Sequence, residues 1–268
     1  MKHPGSFGIP LLLLTFAVIM PFSSEALGES LPVGEKIRYS ILAEGIKIGN
    51  QTIEVSALTE MNGREAYLIK GRSTASALMS VFYRLDDKWD IYIDRSTLYP
   101  FRVEKDYVEG KDKGYYVYDI DQAGRLVHHR DLRSGKEKTL EPKNPVFDLF
   151  SLVYFYRSKA DTLPNPFVFD FLEPKSVQTV QFQDQGEEEI SIFAVSPHKS
   201  CRVRKLKQVG GVGIEIFIAV DELRLPLKLL TPAKLSRKKT IDIEFVIDGY
   251  SPGSEQDETP HEYRRLKY

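Results

Sequence analysis

The side chains able to do chemistry are few, and their spacing does not assemble a reaction centre. Hydrolysis by a nucleophile needs a Ser or Cys with a base and an oxyanion site. No G-x-S-x-G is present, and Ser151 sits in the apolar stretch "FDLFSLVYFYRS", where its hydroxyl can bond back to a carbonyl of the preceding turn. A metal needs clustered ligands, and the nearest approach is "HHRD", with His128, His129 and Asp131. Neighbours on a strand point to opposite faces, so His128 and His129 do not readily share one ion. The run Glu187–Glu189 reads as a solvated hairpin end rather than an acid/base pair. Asp148 reads as a helix cap, the alternative being a buried carboxylate facing Arg157. Cys201 is the single cysteine, which rules out an intramolecular disulfide and reads as a small half-buried residue rather than a reactive thiol. The expectation is a non-enzymatic protein with no catalytic residue, metal site or cofactor.

The elements around these residues are strands. Period-two alternation dominates, the mark of half-buried β-structure. "EKIRYSI" sets Ile37, Tyr39 and Ile41 on one face against Lys36, Arg38 and Ser40; "KWDIYID" does the same with Trp89, Ile91 and Ile93. A turn over Ala43–Gly45 and the pair Asn62-Gly63 predict hairpins. About a dozen such strands joined by short Gly-, Pro- and Asp-rich loops predict a mainly β, antiparallel fold in one domain, residues 27–250.

Two stretches break the alternation. "STASALMSVF" (Ser73 to Phe82) predicts one or two helical turns. "NPVFDLFSLVYFYRS" (Asn144 to Ser158) is apolar on all sides; Asn144 can cap it, Pro145 suits the first helical position, and Asp148 offers a second cap one turn later. Arg157 suits the negative pole of the helix dipole. A helix apolar all round must be buried all round. A large curved sheet or incomplete barrel wrapping it meets that need, and a buried strand is the competing reading.

The start of the chain reads as a leader. Lys2 and His3 precede the apolar run "IPLLLLTFAVIMPF", and Ser24 and Ala26 supply a small-residue cleavage site, which predicts a signal peptide over 1–26; an uncleaved anchor is the alternative. No Cys follows the run, so the lipid-modified form of signal is excluded. The expected mature protein is exported to the periplasm, with no membrane span after cleavage. Its charges nearly cancel, 37 basic against 38 acidic in the whole chain, which offers no basic face for nucleic acid. "KLSRKKT" (Lys234 to Thr240) is the one basic cluster and reads as a turn. The last residues, 251–268, are charged and aperiodic, as expected of a disordered tail.

Four segments in order resemble a bacterial exported family known as DUF3108, a domain of unknown function. They are "GEKIRYSILAEGIKIGNQTIEV"; "IDRSTLYPFRVEKD"; "FDLFSLVYFYRS", carrying Asp148, Ser151, Tyr154 and Arg157; and "IAVDELRLPLKLL", carrying Asp221 and Pro226. The resemblance implies a curved β fold around a helix, broadly similar to periplasmic lipoprotein carriers of the LolA/LolB type, and implies no activity. In such a fold Met79, Trp89, Phe150, Tyr154 and Phe155 are candidates to line an apolar pocket for a hydrophobic or envelope-derived ligand. Asp148, Ser151 and Arg157 are expected to be structural. The alternative is an interaction module of an envelope complex, with a filled interior, an exposed apolar patch and a protein partner in place of a ligand.

Overall fold

A computed structural model describes residues 30–192, 200–211, 213–234 and 239–253. The expected leader and residues 254–268 of the expected tail lie outside this range. Eight strands come first: β1 (Lys36–Ala43), β2 (Ile46–Met61), β3 (Arg64–Ala75), β4 (Asp86–Asp94), β5 (Pro100–Glu109), β6 (Asp112–Asp121), β7 (Leu126–Asp131) and β8 (Lys136–Leu140). A two-residue β9 (Val146–Phe147) leads into helix α1 (Leu149–Lys159) and a short 3-10 turn, Ala160–Thr162. The chain then forms β10 (Phe167–Glu173), β11 (Ser176–Ser191), β12 (Ser200–Val209), β13 (Glu215–Ala219), β14 (Pro226–Lys234) and β15 (Thr240–Ser251).

All fifteen strands belong to one sheet, in the order β8-β7-β6-β5-β4-β3-β2-β1-β15-β14-β13-β12-β11-β10-β9. The chain starts mid-sheet and meanders outward to β8. It crosses by α1 to the far edge and meanders back until β15 pairs with β1, Tyr39 opposite Ile247. Pairing is antiparallel except between β9 and β10, where Val146 lies beside Asp170 and Phe147 beside Phe171. A sheet this wide must curl. Its two wings meet through side chains instead of a strand ladder: Tyr118 Oη donates to Pro174 O at 3.0 Å, and the Gln122 amide donates to Val146 O and accepts from Val146 N. The fold is thus a large, open, curved antiparallel sheet closed on a buried helix, as the alternation predicts.

The hairpin signals act as expected, because two successive residues with positive φ match the twist of the strands. Glu44 (φ 48°) and Gly45 (φ 79°) turn β1 into β2; Asn62 (φ 54°) and Gly63 (φ 75°) turn β2 into β3. The inward face of β1 to β4 is the expected one, with Ile37, Ile69, Ile91 and Ile93 at 0% exposure.

Three expectations need correction. The helix starts at Leu149 with Asp148 as cap, which bears out the expected role of Asp148 and corrects the start at Asn144 and Pro145. Val146 and Phe147 are drawn into parallel pairing with β10, and Asn144 instead donates its side-chain amide to Asp170 Oδ1. Glu187–Glu189 is no hairpin end: β11 continues past a register shift between Asp184 and Glu187, and the three carboxylates lie exposed along it, Glu187 paired with Arg202 and Arg204. Ser73 to Phe82 is strand as far as Ala75, with one 3-10 turn at Met79–Val81. Among the described residues no helix is long and apolar enough to cross a membrane.

Candidate functional site

Helix α1 organises the interior. Its start is held by a capping box, in which Asp148 Oδ1 accepts from Phe150 N and Ser151 N while Ser151 Oγ accepts from Asp148 N. Burial pushes the Asp148 carboxyl above the ordinary carboxylate range, against the hydrogen bonds from Ser151 and Phe150. Asp148 and Ser151 therefore serve the backbone, and Asp148 does not reach Arg157.

Arg157 has a different partner. Its Nη1 and Nη2 donate to the two oxygens of Glu35 at 2.6 and 2.8 Å, and its Nε donates to Leu223 O at 3.0 Å. Tyr250 Oη adds a third donor to Glu35, and the guanidinium lies 5.3 Å from the centre of the Tyr154 ring. Tyr154 Oη is fully buried without a well-formed hydrogen bond, and burial, followed by the charge of Glu35, pushes its pKa up. This clasp ties the lead-in to β1, the helix, the β13–β14 turn and β15 together. Sequence reading misses Glu35 because it precedes the strand, yet the alternation carried back from Ile37 puts Glu35 on the inward face.

Of the five expected lining residues, Phe150, Tyr154, Phe155 and Trp89 pack in or against the core, and Met79 does not. Phe150, Tyr154 and Phe155 are buried in the core. The Phe150 ring meets Trp89 edge-on at 5.1 Å and presses on Gly71, where an added Cβ would come within 2.9 Å of it. Glycine at position 71 lets the helix approach the sheet. Met79 is on the 3-10 turn outside the barrel. The space lies on the other side of α1, because the helix is pushed against the β1–β4 strands by these contacts. There Leu152, Val153, Tyr156 and Leu163 face Phe167, Phe169, Phe182, Leu206, Ile216 and Ile218 across an apolar concavity. Its cavity volume is about 50 Å³. A second concavity of about 70 Å³ lies between Leu149, Leu152, Val180 and Gln208. None of the five expected residues lines either one.

A polar group is set into the inner face of the other wing, and sequence reading misses it too. Lys105 Nζ lies 3.2 Å from Asp87 Oδ2 and 3.1 Å from Glu109 Oε1, with the Trp89 and Tyr107 rings each 5.0 Å away. Val108 N donates to Asp87 Oδ1. Burial pushes the Asp87 carboxyl up to about 7 against the pull of Lys105, while Glu109, against its own burial, is held low by Asp87 and then by Lys105. A carboxyl raised on folding stabilises the fold fully below its unfolded value near 3.8 and loses that contribution as pH rises through about 7. Carboxyl-carbon NMR is expected to show Asp87 titrating near 7, and Asp87→Asn is expected to remove that segment of the stability–pH curve. A midpoint below the unfolded value near 3.8 would show Lys105 outweighing burial.

The histidines separate as the strand geometry requires. His129 is buried between the Tyr116 and Tyr118 rings, with Nε2 unpartnered, and burial lowers its pKa. His128 is exposed and meets Thr139. Asp131 turns the chain through bonds to Arg133 N and Ser134 N. Cys201 is half-buried at the core edge of β12.

A β-sheet curled around a single buried helix, with its two wings joined by side chains, is a barrel-like protein. The sequence matches the family described as "Protein of unknown function (DUF3108)" over residues 36–241, and the chain belongs to that family. No curated protein is similar to it. Among solved structures it is similar to a crystal structure described as a beta-barrel-like protein of domain of unknown function DUF1849 from Brucella abortus, with a TM-score of 0.54. Identity is 8%, and the likeness covers 84% of this chain and 100% of that one. At that identity it is the fold that is shared.

Proposed function

We propose that this protein is an exported, non-enzymatic binding protein that holds the end of an apolar chain in the groove between α1 and strands β10 to β13. The observation that carries this reading is the apolar concavity opposite the Arg157 clasp. Its cavity volume of about 50 Å³ is far smaller than a whole-ligand site and accepts only a few methylene-sized groups. A linear acyl or similar chain therefore fits better than a bulky ligand. The leader-like start supports export, and the absence of converging nucleophile, base and oxyanion donors along the groove supports binding over catalysis.

Native mass spectrometry of the protein purified from the periplasm, run beside an organic extract of the same sample, tests this. The expected result is a co-purifying lipid-like mass, or saturable uptake of an added fluorescent fatty acid. Leu163→Trp, at the groove rim, is expected to weaken uptake about tenfold, whereas Val168→Trp on the outer face leaves it unchanged. A clean apo mass that persists after fatty acid is offered would overturn the reading.

The interaction-module reading is supported by a different observation, the exposed apolar residues around Phe82. The sheet edge gives it less support, since β8 carries Lys136, Glu137 and Lys138 exposed, charges that blunt strand addition.

A further inference from the structure

One end of the barrel carries apolar side chains that nothing among the described residues covers. Leu78 is 66% exposed, Val81 77% and Phe82 79%, all on the loop joining β3 to β4, and Ile46, the first residue of β2 beside it, is 62% exposed. These segments are held together: Ser76 N donates to Ile48 O at 2.8 Å, and Gly110 N, in the β5–β6 turn, donates to Arg84 O at 2.7 Å. The Tyr83 ring packs on Gly110, where a Cβ would come within 2.8 Å of it. Scattered exposed apolar residues are ordinary on a protein surface, but a cluster standing out on one fixed loop is a docking surface.

The charges around it define what docks. Arg84, Lys111 and Lys113 are exposed and form no ion pair among the described residues. The acids nearby are mostly engaged: Glu109 with Lys105, Asp86 with Arg72 and Glu44 with Lys239, leaving Asp112 exposed between the two lysines. Along the chain the order is apolar tip, then Tyr83, then Arg84. That sequence matches hydrocarbon, interface and anionic headgroup of a bilayer in turn. An apolar cluster beside exposed cations is what insertion among acyl chains and anionic headgroups needs.

We propose that this end of the barrel docks on the surface of an anionic lipid bilayer, with Leu78, Val81 and Phe82 entering the acyl boundary and Arg84, Lys111 and Lys113 lying among the headgroups. The docking does not depend on the groove beside α1, and its failure would leave the fatty-acid experiment unaffected.

The test uses the chain as isolated from its expressing cells, with its N-terminus fixed by intact mass so that wild type and variants share it. Vesicles of phosphatidylethanolamine with phosphatidylglycerol are compared with pure phosphatidylcholine. In Phe82→Trp the added indole is expected to shift to the blue on the anionic vesicles and to be quenched by brominated acyl chains. Val81→Ser with Phe82→Ser is expected to weaken vesicle binding by at least about tenfold, since two side chains lose their burial. Melting should be unchanged, because neither side chain packs in the fold. Arg84→Glu with Lys111→Glu is expected to weaken binding to the anionic vesicles and to flatten its salt dependence. Unchanged Phe82→Trp emission on vesicles would overturn the proposal. So would a loop-dependent dimer in gel filtration without vesicle binding, which would assign the surface to a protein contact.

Discussion

Replacing Arg157 by Met is expected to lower the unfolding free energy by about 3–5 kcal/mol, because it strands the Glu35 carboxylate in the interior. Glu35 is 0% exposed, and two of its hydrogen bonds come from the guanidinium, which the variant removes, leaving the one from Tyr250 Oη. The position is also structurally central, since the helix that carries Arg157 links the two wings of the sheet. In a chain of this size the melting midpoint should fall by on the order of 10 °C. Glu35→Leu combined with Arg157→Met is expected to recover most of the loss, because removing both partners leaves no uncompensated charge. Chemical denaturation of the single and double variants reads this directly. A loss under about 1 kcal/mol for Arg157→Met would mean that water reaches Glu35 and that the clasp is no stronger than a surface pair.

The second large effect is expected at Phe147. The ring is 0% exposed and lies 4.8 Å from Phe155, 5.5 Å from Tyr99 and 5.8 Å from Phe169. These neighbours come from the β4–β5 turn, the helix and β10, so Phe147 is where three parts of the chain meet. Phe147→Ala is expected to cost about 3–5 kcal/mol, the transfer of the ring plus the cavity it leaves. Phe147→Leu, which refills part of that volume, should recover a substantial share. A small cost for Phe147→Ala in denaturant titration would show that the rings around it collapse into the space, and that the helix is less firmly seated than its contacts indicate.

Both effects concern contacts that join distant parts of the chain, and such contacts are the least legible in a sequence. Arg157 is visible as a cation near a helix end, for which the helix dipole is sufficient reason. Its actual partner is 122 residues away, and only the pairing of β1 against β15 and the lie of α1 across the sheet bring the two together. The same holds for Asp87 and Lys105: alternation puts both on the inner face, but their meeting depends on the β4–β5 register, which a one-residue slip would reverse. The place of the candidate pocket residues in the core has a related reason. Phe150, Tyr154 and Phe155 are the large side chains a ligand would want, and the same size makes them the ones the core consumes, through a Gly71 that lets Phe150 come close.

What the sequence alone determined is the local and periodic part. Alternation fixed which face of each early strand turns inward, Asn62-Gly63 and Gly45 set the hairpins, and a helix apolar on all sides required a sheet curved enough to enclose it. These follow from backbone geometry and side-chain spacing within a few residues, so the chain carries them openly. The tertiary structure alone decided where the helix begins, which side of it is left open, who partners Arg157, and which apolar residues stay in water at the barrel end. Each of those depends on which strands become neighbours in space, and packing selects among arrangements that the local pattern leaves equal.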